Sequence, residues 1–504
     1  MNSLHYAPPR NWMNDPNGLL HHNGRYHLFF QYNPLGVEHA NLSWGHASSI
    51  DLITWENHPV AISFDDTEEI FSGSVVVDEA GTTGFGTPQT PAFIAFYTSM
   101  STTTPRQAQS IAYSIDEGRT WTKYAGNPVL DRHSTDFRDP KVVRWHTDTE
   151  SYWVMVAVEA AEHKVVFYRS DDLLSWEYLS EFGNSGAVGG VWECPDLFPL
   201  RVREPAGTEA ISNEASSDDI RWVLLVSLNP GGIAGGSGTQ YFIGDFDGRT
   251  FTPLPSIAPV DSSEETEMYA LNWLDYGRDC YAGVTFSGLA DDDRTLISWM
   301  SNWDYARQLP VDPETPQRGQ MTLARRLSLI SVNGQLRLRQ IPIVPPVIAH
   351  TEITGVLVGQ QPDPEVPDLV VSLPATGRID LSVAYGGARG FVARLADNDN
   401  RSIVLTYDAA AEQLVLERRT GLEDFPPEFT STERMPVAAT PVITLTIWFD
   451  ERAIEIYAEN GTRVLTELLG ALRSPSLHLA GLGGNIRIQE LSVGAALFAD
   501  PAAR

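Results

Sequence analysis

Along most of the chain, short apolar runs alternate with polar residues at a period of two. "RYHLFFQY", "SYWVMVAVE", "HKVVFYRS" and "RWVLLVSL" are rich in Val, Ile, Tyr, Phe and Trp, and Gly, Asp, Asn and Pro separate them. Such runs predict strands joined by tight turns, and long helical periods are scarce. A repeat underlies the alternation. "SIDLITWEN", "SIDEGRTWTKY", "SDDLLSWEYL" and "GDFDGRTFTPL" each carry a small or turn residue, an Asp, a short turn and an aromatic opening the next strand. The aromatics are Trp55, Trp121, Trp176 and Phe251, at intervals of 66, 55 and 75 residues. That period suits a four-stranded blade with long loops, and radial repetition of blades predicts a β-propeller. With the region around "TLISWMSNW", which lacks the signature, five blades are expected.

The repeat fades after about residue 335. "RQIPIVPPVIAH" then brings Pro342, Pro345 and Pro346 close together, which disfavours helix and central strand alike. The expected organisation is an all-β chain: a five-bladed propeller over 1–340, a Pro-rich linker over 341–354, and a β-sandwich over 355–504. The sandwich reading rests on alternating runs such as "RIDLSVAY", "SIVLTYD" and "ITLTIWFD", and on a hairpin with Asn460-Gly461 at its turn. Residues 204–219 are polar, acidic and poor in apolar groups, which predicts a mobile loop between strands of one blade.

Composition narrows the function. The net charge of −30 repels phosphate backbones and anionic membranes, so neither nucleic acid nor membrane is an expected partner. Only Lys123, Lys141 and Lys164 are lysines; the other basic residues are arginines. Lysine scarcity with acidic excess resembles salt-adapted proteins, whose carboxylate-rich surface stays soluble when salt screens its self-repulsion. A GC-rich genome would explain the arginines but not the acidity. Cys194 and Cys280 form no CxxC pair and no disulfide framework; they read as small buried groups, with a single bridge possible. No metal or cofactor is expected. The N-terminus lacks a basic segment followed by an apolar one, which points to the cytoplasm, the alternative being secretion after removal of a leader.

Three acids sit within apolar or aromatic sequence rather than in solvated charge runs. Asp15 lies in "NWMNDPNGLL", where Asn14 to Gly18 predict a tight turn. Asp139 follows Arg138 in "STDFRDPKVVRW", and Glu193 lies between Trp192 and Cys194 in "GGVWECPDLFPL". Acids in such settings are costly unless paired, hydrogen-bonded or used. One per early blade, they can converge on the central funnel. Converging acids without metal-type His clustering suggest glycoside hydrolysis, which needs one acid ionised and another protonated.

The motifs "WMNDPNG", "FFQYNP", "WGHASSIDLITW", "FSGS", "FRDPKV", "WECPDLF", "WMSNWDY" and "RGQMTLARRLSL", in this order, resemble glycoside hydrolase family 32, the β-fructofuranosidases. The resemblance spans nearly the whole chain and implies a five-bladed propeller followed by a sandwich. It implies Asp15 as nucleophile, Glu193 as general acid/base, and Asp139 as the transition-state stabiliser that binds fructosyl hydroxyls, with Arg138 beside it. Asn14, Gln31, Trp44, Phe71 and Ser74 match positions lining the fructose pocket, and Trp303 is a sugar-stacking wall. Trp44 and Trp303 suit core packing equally well, and Ser74 a strand-end hydroxyl. Trp192, Cys194 and nearby negative charge are expected to favour the protonated form of Glu193.

Two departures stand out. Where many relatives place a Trp at the pocket rim, "NPLGVEHANLSWGHA" puts His39, which bears on leaving-group preference. Gln317 replaces a Trp, and Ala324-Arg325 a Pro-Arg pair, changes expected to touch blade closure. The implied substrates are sucrose or inulin- and levan-type fructans, hydrolysed from the chain end. Alternatives are a fructosyltransferase, which passes the same intermediate to a sugar, and a silent fructan-binding protein. Oligomerisation has no signal in the sequence.

Overall fold

The computed structural model describes residues 3–203, 219–360, 369–397, 401–419 and 424–498. All but the last residue of the acidic 204–219 segment lies outside the described residues.

Five four-stranded antiparallel units succeed one another along the chain. Blade I comprises Asn11–His22, Arg25–Asn33, Ser43–Ser49 and Glu56–Ile62. Blade II comprises Glu68–Asp78, Ala92–Ser101, Gln107–Ser114 and Thr122–Lys123. Blade III runs through Phe137–His146, Ser151–Glu159, Lys164–Ser170 and Glu177–Gly183. Blade IV runs through Val191–Arg203, Ile220–Asn229, Gly238–Phe246 and Phe251–Pro253. Blade V uses Tyr281–Thr285, Thr295–Trp299, Arg325–Val332 and Gln335–Pro342. Second strands such as Ser151–Glu159 are buried along almost their whole length, because each blade is covered on both faces by its neighbours. Outer strands such as Glu56–Ile62 are mostly open to solvent.

The repeated Asp is the turn between the third and fourth strands. Asp51 accepts backbone N–H groups of Ile53 and Thr54; Asp172 accepts those of Leu174 and Ser175, and Asp247 those of Arg249 and Thr250. Such Asx-type capping fixes the chain reversal locally. Blade V lacks the signature because its reversal is a two-residue hairpin, Asn333-Gly334, with both residues at positive φ. The ring is joined where Gln317–Arg318 pairs in parallel with Asn11–Trp12. Gln317 therefore sits on a closing strand.

Beyond the propeller two sheets face each other. One orders Val347–Ile353, Ile486–Ala496, Gly377–Ala384, Ile443–Phe449, Ala453–Ala458 and Arg463–Leu468; the other orders Leu369–Ser372, Ser476–Leu482, Gly390–Ala396, Ser402–Asp408, Gln413–Arg419 and Ser431–Pro436. Gly377–Ala384 alternates buried and half-buried residues without a break, sending Ile379, Leu381 and Val383 into the inter-sheet core. Much of the stretch expected as linker is strand. Blade V continues to Pro342, and Val347–Ile353 forms a proline-free edge strand, leaving 343–346 between them. The prolines mark the strand ends, where no ladder N–H is needed.

Buried charge joins the two units. Arg325 of blade V donates to Asp275 and to Glu455 and Thr466 of the sandwich, at 2.7–3.0 Å. Arg418 of the sandwich pairs with Asp279 and Glu467 at 2.7 Å. Near the N-terminus, His5 lies 2.8 Å from Asp450 and 3.3 Å from Glu455. Burial alone would lower the His5 pKa, but the two carboxylates overcome it and raise it from 6.5 to about 9. The folded protein therefore holds this proton more tightly than the unfolded chain. The stabilisation, about 3 kcal/mol at 1.36 kcal/mol per pKa unit, is complete below pH ~6.5 and is lost as pH rises through ~9. Denaturation midpoints measured from pH 6 to 10 should fall across that window, and the fall should flatten in His5→Gln. An unchanged slope in the variant would remove His5 from the account.

Candidate active site

The innermost strand of every blade carries a register shift at the same level. The residues inserted are Asn14-Asp15, Phe71-Ser72, Asp139-Pro140, Cys194-Pro195 and Ala282-Gly283, each pair facing one residue on the neighbouring strand. These are β-bulges, which turn side chains out of the ladder at barrel and propeller rims. Asp139, Cys194 and Ala282 take positive φ of 63°, 46° and 54°. For residues with a Cβ that conformation costs on the order of 1–3 kcal/mol, and it clusters where function needs it. Pro16, Pro140 and Pro195 fit because a bulge leaves ladder positions that need no N–H. The Asn14–Gly18 stretch is thus not a turn between strands. It lies within the continuous strand Asn11–His22, and its local irregularities are the bulge and a second shift before Leu20. Gly18, at φ 53°, lets that strand press close on its neighbours: a Cβ there would stand 2.7 Å from Val75 of blade II and 2.8 Å from Phe29 of its own blade.

The three acids, from blades I, III and IV, meet. Cys194 links two of them, with its N–H 2.9 Å from Asp139 Oδ2 and its Sγ 3.5 Å from Asp15 Oδ2 and 3.7 Å from Asp139 Oδ2. Asp15 also accepts from Ser72 Oγ at 2.7 Å and Asn14 Nδ2 at 3.0 Å, and Asn14 is held by the Trp12 indole at 2.7 Å. Arg138, Glu193 and Tyr281 occupy the same position, just before the bulge, in blades III, IV and V. They form a row: Arg138 Nη2 donates to Glu193 Oε1 at 3.1 Å, and the Tyr281 hydroxyl donates to Glu193 Oε2. Trp192 does not line this site. As the strand alternates, it enters the blade core and donates to the Ala187 carbonyl.

Burial first, and then the charge of Glu193, raises the Asp15 pKa, while the Ser72, Asn14 and Cys194 donors pull it back. Asp139 is pushed up by burial and by Glu193 against the opposing Arg138. Cys194 and Tyr281 are raised well above their ordinary values, chiefly by burial, so both act as neutral donors. Burial and like charge thus oppose the ionised forms of Asp15 and Asp139 alike, and the donors around Asp15 are what favour its carboxylate. Among the described residues no group of three or more His, Cys, Asp or Glu could hold a metal ion.

The remaining sequence-derived residues divide. Gln31 faces the Asn14-Asp15 bulge, buried, with both amide atoms free of protein partners. A buried amide left open in this way is poised for a ligand. Phe71 is half-buried in the blade II bulge beside Ser72. Trp303 stacks on Trp12 with ring centres 5.9 Å apart, and His39 meets its edge at 4.9 Å. Burial and Arg307 lower the His39 pKa to about 4, so the ring is neutral. Trp44 and Ser74 differ from expectation. Trp44 is wholly buried and supports the bulge from behind, donating to the Phe71 carbonyl at 3.0 Å. The Ser74 hydroxyl donates to the Pro140 carbonyl and accepts from Val142 N–H, which ties blade II to blade III. In "FSGS" it is Ser72, not Ser74, that meets the acid. Sequence reasoning also missed Tyr281. Its signal was the repeat itself, since aligning the innermost strands places Tyr281 opposite Glu193 and Arg138.

Residues 5–342 match the family model "Glycosyl hydrolases family 32 N-terminal domain", and residues 364–473 match "Glycosyl hydrolases family 32 C terminal". The extracellular exo-inulinase of Aspergillus niger is 38% identical over 503 residues, covering 92% of this chain and 88% of that protein. The levanase of Bacillus subtilis is 38% identical over 511 residues, covering 97% and 69%. Among solved structures, the exo-inulinase of Aspergillus awamori superposes with a TM-score of 0.88 at 36% identity, covering 98% of each chain. The β-fructofuranosidase of Schwanniomyces occidentalis, complexed with fructosyl-erythritol, gives 0.81 at 30% identity, covering 98% and 97%.

Proposed function

The chain belongs to glycosyl hydrolase family 32, and from that premise we propose that it is a retaining β-fructofuranosidase releasing terminal fructosyl units from sucrose or fructans, with Asp15, Glu193 and Asp139 carrying the chemistry. The observation that carries the assignment of residues is the meeting of two buried acids, Asp15 and Asp139, at Cys194, with half-buried Glu193 held beside them by Arg138 and Tyr281. Asp15, ionised and oriented by Ser72 and Asn14, attacks the anomeric carbon. Glu193, positioned by Arg138 and Tyr281, protonates the departing oxygen. The fructosyl ester on Asp15 is then hydrolysed by water that Glu193 deprotonates, with configuration retained. Asp139 holds ring hydroxyls as positive charge develops, an interaction that strengthens in the transition state. Gln31 offers its open amide to the sugar, and Trp303 with His39 forms the wall on the leaving-group side.

Levanase, exo-inulinase and invertase all appear among its relatives, which supports chain-end attack on fructans as well as sucrose cleavage. The Aspergillus exo-inulinases are extracellular by name, and this favours secretion over the cytoplasmic expectation. No helix among the described residues is long and apolar enough to cross a membrane.

Product analysis with sucrose, inulin and levan tests the reading. Glucose and fructose should appear equally from sucrose, with fructose the sole early product from the polymers. A fructose deficit from sucrose would instead establish transfer, and no release from any of the three would sink the proposal. The same assay across a salt series tests the acidic composition: activity should collapse in dilute buffer if the surface is salt-adapted.

A further inference from the structure

The innermost strands that carry the acids continue to the opposite end of the propeller. Six residues beyond Asp15, Asp139 and Glu193 stand His21, Trp145 and Pro199, roughly 20 Å farther along at ~3.3 Å per residue. All three line a cavity of about 750 Å³ to which every blade contributes. That volume is in the range of oligosaccharide-sized ligand sites. Lys141 lies between the two ends of its strand. It is buried and pinned 2.5 Å from the Thr285 carbonyl and 3.1 Å from Asp196, so it partitions this cavity from the acids.

The lining is aromatic and polar at once. Trp145, Trp153 and Trp222 border it, each half-buried, and Arg144 lies over Trp153 at 4.8 Å. Elsewhere Trp12, Trp44, Trp121, Trp192 and Trp273 each donate their indole N–H to a protein acceptor. The three cavity tryptophans have no such partner among the described residues. The three stand on different walls: Trp145 packs on Tyr152, Trp222 on Phe246, and Trp153 lies on the opposite face of blade III from Trp145. Aromatic rings with free N–H groups spread around a cavity suit a ligand that is apolar on ring faces and rich in hydroxyls at its edges. Charges at the cavity balance: Lys141, Arg144 and Arg294 stand against Asp78, Glu79 and Asp291, which favours a neutral ligand over an anion.

We propose that the far mouth of the propeller is a second, non-catalytic oligosaccharide site that anchors a neutral fructan chain in the cavity bordered by Trp145, Trp153 and Trp222. The choice of fructan rests on the function proposed above; the site itself rests on the cavity. A polymer held there raises the effective concentration of chain ends at the funnel without a new catalytic contact.

The test is affinity electrophoresis in gels containing inulin or levan. The protein carries Asp15→Asn so that the polymer is not consumed. Trp153→Ala and Trp222→Ala should each weaken retardation at least threefold, and together at least tenfold. In the Asp15 background the same substitutions should leave sucrose kcat/KM within twofold while lowering kcat/KM on long-chain inulin. Retained sucrose turnover shows that the variants fold and that the catalytic reading stands, so the two proposals fail separately. Retardation unchanged in both single variants would overturn the site. So would a tryptophan fluorescence response to inorganic phosphate with none to short fructo-oligosaccharides.

Discussion

Asp15→Asn is expected to lower sucrose turnover by about 10⁴-fold or more, with KM little changed and the fold intact. The amide preserves the shape of the side chain; its oxygen still accepts from Asn14, and its NH2 can donate to Ser72 Oγ once that hydroxyl turns, so the loss would report chemistry rather than packing. Without the carboxylate no ester forms, and the reaction stops at its first step. Glu193→Gln separates the second role. Sucrose turnover should fall by about 10²–10⁴, while an aryl fructofuranoside, whose leaving group needs no proton, should lose far less. The variant should also change the alkaline limb of the pH profile. Glu193 must be protonated to serve as the acid, so the fall in activity on the alkaline side should disappear when Gln replaces it. The acid limb belongs to Asp15, which must be ionised to attack; activity is lost as pH falls through its pKa, which burial raises. An Asp15→Asn enzyme keeping more than a tenth of wild-type turnover, or a Glu193→Gln profile that keeps its alkaline fall, would contradict the assignments.

Arg325→Met should destabilise the docking of sandwich on propeller by about 3–5 kcal/mol. Arg325 is wholly buried and is shared by Asp275 and Glu455; without it Asp275 would be a buried charge with no cation and Glu455 would keep only His5. Glu455 retains His5 and the Tyr457 hydroxyl, so the loss is partial there. Asp275 retains Thr466 and the Gly277 N–H. Removing the charge on the other side as well should recover part of the loss. Arg325→Met with Glu455→Leu should be more stable than the sum of the single changes predicts, because a filled apolar contact replaces an unpaired ion. Urea denaturation followed by tryptophan fluorescence measures both. Additive effects within 0.5 kcal/mol would mean the two groups do not act as a pair.

The alternation and the Asp-turn-aromatic repeat sufficed for an all-β propeller and sandwich, because each third-to-fourth strand turn is local chemistry. Asp51, Asp172 and Asp247 cap backbone groups only two or three residues away. The three acids were legible for a similar reason: a carboxylate within apolar sequence signals its own cost. Tertiary structure decided what those acids touch. Ser72 rather than Ser74 faces Asp15, because the inserted residue of the bulge reverses which side of a strand a side chain takes, and Trp44 and Trp192 turn into cores because their strands alternate. Whether Val347–Ile353 is linker or strand depended on an edge offered by Ile486–Ala496, far along the chain. The row Arg138, Glu193 and Tyr281 likewise exists only once three bulged strands stand side by side around one axis, since hydrogen bonds across a channel depend on positions that no stretch of sequence contains.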